Sequence, residues 1–138
     1  MRVFLSSHGR FAEGIVSSVR ILLGDSEAEK LHVFSAYVDD RNLKDELDAF
    51  FKDIPEEEHV ILLSDLNGGS VNTAMIPYLE RPNTDLLTGV NLTLAIELLV
   101  NDEMSDADLD ELVQTSKDAL KRVRLDNTEE TETQEDFF

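Results

Sequence analysis

The chain has 138 residues, 41% of them hydrophobic and 30% charged, which is the make-up of one ordinary globular domain able to bury a core. Asp and Glu number 30 against 12 Lys and Arg, a formal net charge of −18, so there is little from which to build the basic face that nucleic acid or an anionic membrane requires. There is no cysteine, which excludes disulfides, a thiolate metal site and a cysteine nucleophile.

No apolar run approaches the roughly 18–20 residues of a membrane span. The start, Met1-Arg2-Val3-Phe4-Leu5, is too short an apolar stretch for a signal peptide. The expected location is the cytoplasm, where an acidic surface steers basic protein partners toward itself. The charge is uneven. Residues 1–24 hold Arg2, Arg10 and Arg20 against Glu13 alone, whereas Asp126 to Phe138 holds six acidic residues and no basic ones.

In chain order, Arg2 to Ser6 reads as a buried strand. Phe11, Ile15, Val19 and Leu22 then recur at helical spacing, flanked by Val16 and Leu23, with Gly24 as the stop. Leu31 to Ala36 is a second strand. A helix follows from Asn42, with Leu43, Leu47, Phe50, Phe51 and Ile54 on its inner face and Pro55 as its terminator. Val60 to Leu63 is the clearest strand, a continuous apolar run of the kind found in parallel sheets covered on both faces. A short helix to Tyr78, a strand from Asp85 to Val90 and a helix from Leu92 to Val100 come next. The last helix opens with a capping box at Ser105 and Asp108 and carries apolar residues from Leu109 to Val123.

The order β-α-β-α-β-α-β-α-α predicts an α/β fold, an open parallel four-stranded sheet with helices on both faces. The domain is expected to span 1–126. The polar, acidic stretch 127–138 reads as a disordered tail.

In such sheets the site lies at the carboxyl ends of the strands, where the strand order reverses. Three loops qualify: Ser7-His8-Gly9, Asp65-Leu66-Asn67-Gly68-Gly69-Ser70 and Thr88-Gly89-Val90-Asn91. His8 is the sole histidine among them, just before a helix N-terminus that favours anions. Asp65 is placed to accept the Nδ1–H of His8, leaving Nε2 as the nucleophile; the alternative is a turn or cap residue. Gly68-Gly69-Ser70 reads as a phosphate-cradling turn, with Gly9 contributing from the first loop. His32 and His59, on or beside strands, read as structural. No dinucleotide or nucleotide-triphosphate fingerprint is present. His8 and Asp65 lack an obvious third metal ligand. With no Trp and only Tyr37 and Tyr78, a flavin platform is poorly supplied.

These three loops, in this order and spacing, resemble the mannose-type IIA component (mannose, fructose and sorbose family) of the bacterial phosphoenolpyruvate-dependent sugar phosphotransferase system. The resemblance covers about residues 2–125. It departs at Val71 and Thr93, where the family often has proline. It implies that His8 accepts phosphate on Nε2 from the phosphocarrier HPr and passes it to the IIB component, which serves the membrane components IIC and IID. It implies that Asp65 orients His8, that Ser70 helps to bind the phosphoryl group, and that no cofactor or metal is needed. It also implies a homodimer whose C-terminal strand, near Arg122 to Asp126, crosses antiparallel onto the partner's sheet. A phosphorylation-responsive regulatory domain that does not relay onward is the alternative.

Overall fold

Four strands, β1 (Arg2–His8), β2 (Leu31–Ala36), β3 (Val60–Ser64) and β4 (Thr84–Thr88), form one sheet in the order β2-β1-β3-β4. All three pairings are parallel. The structure is a computed structural model and describes residues 1–127. The acidic tail read as disordered lies outside these residues apart from Asn127.

Among the described residues six α-helices connect and cover the strands: α1 (Phe11–Leu23), α2 (Asp25–Ala28), α3 (Leu43–Phe51), α4 (Ser70–Met75), α5 (Leu92–Leu99) and α6 (Asp106–Asp118). Alternation along the central strands feeds two cores. Val3, Leu5, Ile61 and Leu63 pack with residues of α1, α5 and α6, and Phe4, Val60 and Leu62 pack on the opposite face with residues of α3 and α4. Leu5, Leu62, Leu63, Leu47 and Leu98 are fully buried, each contributing roughly 1.5–3 kcal/mol by removal from water. A strand buried on both faces cannot display a polar alternation, which is why β1 and β3 read as continuous apolar runs.

Several boundaries differ from the sequence expectation. β1 runs two residues further, so His8 is its last residue. On α1 the buried stripe is Ala12, Ile15 and Val19, whereas Phe11 and Leu22 are exposed. Ala12, fully buried with Val3, Leu5 and Val19, takes the core position that the Phe11 stripe was expected to fill. α3 ends at Phe51, and a tight turn with Ile54 N–H on the Phe51 carbonyl carries the chain to Pro55. That turn buries Ile54 while keeping the pre-proline residue out of the helix. The helix before β4 changes to a 3-10 turn over Ile76–Glu80.

The largest difference is at the C-terminus. α6 opens on the expected capping box of Ser105 and Asp108, but ends at Asp118 rather than near Val123. Leu120 and Val123 are exposed, so no core rewards continuing the helix. Residues 121–124 have no regular structure, and Leu125–Asn127 is a 3-10 turn. The expected strand near Arg122 to Asp126 is therefore not formed in the single chain. A strand needs a neighbouring strand to satisfy its backbone, and among the described residues the sheet has four strands only.

Candidate active site

The strand order places β1 and β3 side by side at the centre, with connections leaving them toward opposite edges. This reversal opens a crevice at their carboxyl ends. His8 closes β1 opposite Ala36 of β2, and Gly9 N–H donates to the Ala36 carbonyl at 2.9 Å. Gly9 then turns the chain at φ +56°, a conformation that glycine adopts without steric cost. Beneath it the buried Ser7 Oγ accepts from Ala12 N–H at 2.8 Å and caps the first turn of α1. His8 is thus anchored by sheet on one side and by a capped helix on the other.

Asp65 follows the last residue of β3. Its Oδ2 accepts from the His8 backbone N–H at 2.8 Å and lies 2.8 Å from His8 Nδ1, while Oδ1 accepts from Leu66 N–H at 2.9 Å. Burial acts to raise the Asp65 carboxyl. The hydrogen bonds from the His8 backbone, the His8 ring and Leu66 outweigh it and hold the group below the usual carboxylate range. A carboxylate only accepts, so the ring meets it with Nδ1–H, and in the neutral imidazole Nε2 then carries the lone pair. The Asp65 side chain is 10% exposed and that of His8 is 42% exposed. One edge of the ring is fixed within the protein and the other is open.

Ser70, the first residue of α4, has its Oγ 3.1 Å from His8 Nε2 and 2.6 Å from the hydroxyl of Tyr37. The structure therefore brings together His8, Asp65 and Ser70. Two of the three glycines expected in a phosphate cradle have their N–H groups engaged within the fold. Gly9 N–H is committed to Ala36 and Gly69 N–H to the Leu66 carbonyl at 3.1 Å. Gly68 turns the loop at φ +75°. A Cβ at Gly69 would lie 3.3 Å from Leu66 Cβ and carbonyl oxygen and 3.5 Å from His8 Cε1. Gly69 thus forms the floor beside the imidazole.

The third loop serves the fold. Asn91 caps α5 through Leu94 N–H at 2.8 Å and donates to the Ser116 carbonyl of α6 at 2.8 Å. Thr88 Oγ1 lies 2.8 Å from the buried Ser64 hydroxyl. Of the other histidines, His32 stacks on Phe4 with ring centroids 5.1 Å apart, and His59 Nε2 lies 2.6 Å from Asp85 Oδ2. The residue that sequence reading missed is Tyr37. It follows β2, a fourth strand end that the same positional rule would have included.

A cavity of about 340 Å³ borders the site, sharing Tyr37 and Ser70 with it and lined further by Phe34, Arg41 and Lys44. A larger hollow of about 550 Å³ lies at the opposite, amino end of the strands, beside His59 and Asp85, away from His8.

The PTS system fructose IIA component family matches this chain over residues 2–117. This chain belongs to that family. The fructose-specific EIIA component of Bacillus subtilis (strain 168) is 30% identical over 98 residues, covering 70% of this chain and 67% of the relative. Among solved structures, the mannose/sorbose-specific IIA subunit from Enterococcus faecalis superposes with a TM-score of 0.71 at 26% identity, covering 90% of this chain and 95% of that one. A IIA protein associated with the fucose utilization operon of Streptococcus pneumoniae gives a TM-score of 0.69 at 27% identity, covering 88% and 91%.

The mannose-type IIA resemblance and the parallel α/β fold thus agree with these relatives. As a IIA component of the mannose/fructose family the chain acts in sugar phosphotransfer, and such components are phosphotransferases that interact in general with HPr and IIB. Among the described residues no helix is long and apolar enough to cross a membrane. The two departures from the family pattern have a simple physical reading. Val71 and Thr93 are each the second residue of a helix, α4 and α5. A first-turn N–H has no intrahelical partner, so proline and other residues are interchangeable there.

Proposed function

We propose that His8 is the phosphoryl acceptor, taking the group from phospho-HPr and passing it to a IIB component of a mannose-family sugar transporter, whose membrane components IIC and IID it serves indirectly. The observation that carries this reading is the ring's asymmetric setting. Nδ1 is held by the Asp65 carboxylate, and Nε2 faces the open rim beside the Ser70 hydroxyl. The Nε2 lone pair attacks phosphorus, and the bond from phosphorus to the donor's histidine nitrogen breaks with its electron pair returning to that ring. The positive charge that develops on the His8 ring is stabilised by Asp65 through Nδ1–H. Transfer to IIB is the same displacement with His8 as the leaving group.

Such chemistry needs in-line positioning more than strong charge neutralisation. Among the described residues the ring nitrogens of His8 meet Asp65 and Ser70, neither of them a cation. A site without a cationic clamp lets the group leave again, as a relay must. The net charge of −18 favours encounter with a basic phosphocarrier. The protein is further proposed to work as a homodimer without a cofactor, Ser70 helping to hold the phosphoryl oxygens.

The test is phosphotransfer from phosphoenolpyruvate through enzyme I and HPr to wild type and His8→Ala. Wild type is expected to acquire acid-labile phosphate and the variant none. Labelled His8→Ala would overturn the assignment. Label that stays on His8 when IIB is added would favour the regulatory alternative over the relay.

A further inference from the structure

Tyr37 has φ +67°, a backbone conformation few non-glycine residues adopt. The residue is 69% exposed, so core burial does not hold it there. The conformation instead achieves a placement. The ring centroid lies 5.4 Å from that of the His8 imidazole, and the hydroxyl lies 2.6 Å from Ser70 Oγ, which is itself 3.1 Å from His8 Nε2.

The protons in this chain have one consistent direction. The Asp65 carboxylate requires Nδ1–H, so Nε2 is an acceptor in the neutral ring. Ser70 therefore donates its one proton to Nε2. Its oxygen is left to accept, and the Tyr37 hydroxyl donates to it. Tyr37, Ser70 and His8 then donate in one line that ends on the Asp65 carboxylate, and each bond polarises the next.

We propose that Tyr37 is a positioning residue for phosphoryl transfer, its hydroxyl fixing the Ser70 oxygen beside His8 Nε2. In the resting protein the Ser70 proton covers the lone pair that must attack. When the phosphoryl group arrives, that proton turns about the Cβ–Oγ bond from Nε2 to a phosphoryl oxygen. No proton leaves Ser70. Tyr37 keeps the oxygen in place throughout, so the same hydroxyl serves the free and the phosphorylated ring. This inference rests on the relay reading and deepens it.

The test compares wild type, Tyr37→Phe, Ser70→Ala and the double variant. One readout is the rate of phosphorylation by HPr charged from phosphoenolpyruvate. The other is the ¹⁵N resonances of the unphosphorylated His8 ring. Phenylalanine keeps the ring and removes only the hydroxyl. Tyr37→Phe is expected to slow transfer about threefold to tenfold, the scale of one neutral hydrogen bond, and to shift the Nε2 resonance. In the Ser70→Ala background it is expected to change neither. An equal slowing in both backgrounds, an unaltered rate beside a working wild type, or an unmoved Nε2 resonance would each overturn the role of Tyr37 alone. Wild-type protein that takes no phosphate on His8 overturns the relay reading, and the transfer role of Tyr37 with it.

Discussion

One oxygen of Asp65 meets both the backbone N–H and the ring of His8, each at 2.8 Å. The carboxylate therefore sets where the ring sits and which nitrogen bears the proton. Asp65→Asn keeps the shape but removes the negative charge that stabilises the developing imidazolium, and its single amide oxygen cannot accept from both the His8 and the Leu66 N–H groups. Phosphate acquisition measured by rapid quench should fall by about a hundredfold or more, the scale on which loss of a group stabilising developing charge acts. An unchanged rate would return Asp65 to the role of a turn residue. Acid supplies a second measurement. The folded carboxyl lies below its ordinary 3.8, so its contribution to stability is complete above that value and is lost as the pH falls through the lower, folded value. Denaturant unfolding from about pH 5 downward should show wild type losing more stability than Asp65→Asn. Identical slopes would sink this linkage. His8 and Asp65 were legible as a pair because both stand at strand ends and a parallel sheet gathers its strand ends on one side. Tyr37 was not legible, since its part depends on a backbone angle and on a hydroxyl 33 residues away.

At the scale of elements, the loop from β3 to α4 separates two uses of glycine. Gly68 has φ +75° with open space where a Cβ would stand, so its demand is purely on the backbone. Gly68→Ala should lower unfolding stability by about 1–2 kcal/mol. Gly69 has φ −72°, which any residue adopts, but its Cβ would press on Leu66 and reach the His8 ring. Gly69→Ala should leave stability closer to wild type than Gly68→Ala does, and should move the ¹⁵N resonances of His8 and slow phosphate acquisition. The reverse pattern would mean that the loop is not the floor of the site. The helices were read correctly wherever a cap and a core agree, as at Asn42 and Ser105. They were misread where apolar periodicity ran on without a surface to cover, at Phe11, Leu120 and Val123. Periodicity records which residues could be buried, and packing decides which are.

For the whole molecule, assembly centres on the stretch after α6. Leu120 is 89% exposed and Val123 is 65% exposed in the single chain. If this stretch pairs with a second copy's sheet, as the family resemblance implies, sedimentation at micromolar concentration should show a dimer, and truncation after Ala119 should give a monomer. A monomeric full chain would count against the exchanged strand.

By itself the sequence determined the alternating α/β order, the boundaries of most strands and the loops that carry His8, Asp65 and Ser70. These follow from apolar periodicity, helix caps and glycine positions, all of which act over a few residues. Only the tertiary structure decided which face of α1 is buried, that α6 stops at Asp118, that the N–H groups of Gly9 and Gly69 are engaged within the fold, and that Tyr37 closes a line of hydrogen bonds onto His8. Those outcomes depend on the strand order β2-β1-β3-β4, which brings residues 57 and 62 positions apart within hydrogen-bonding distance.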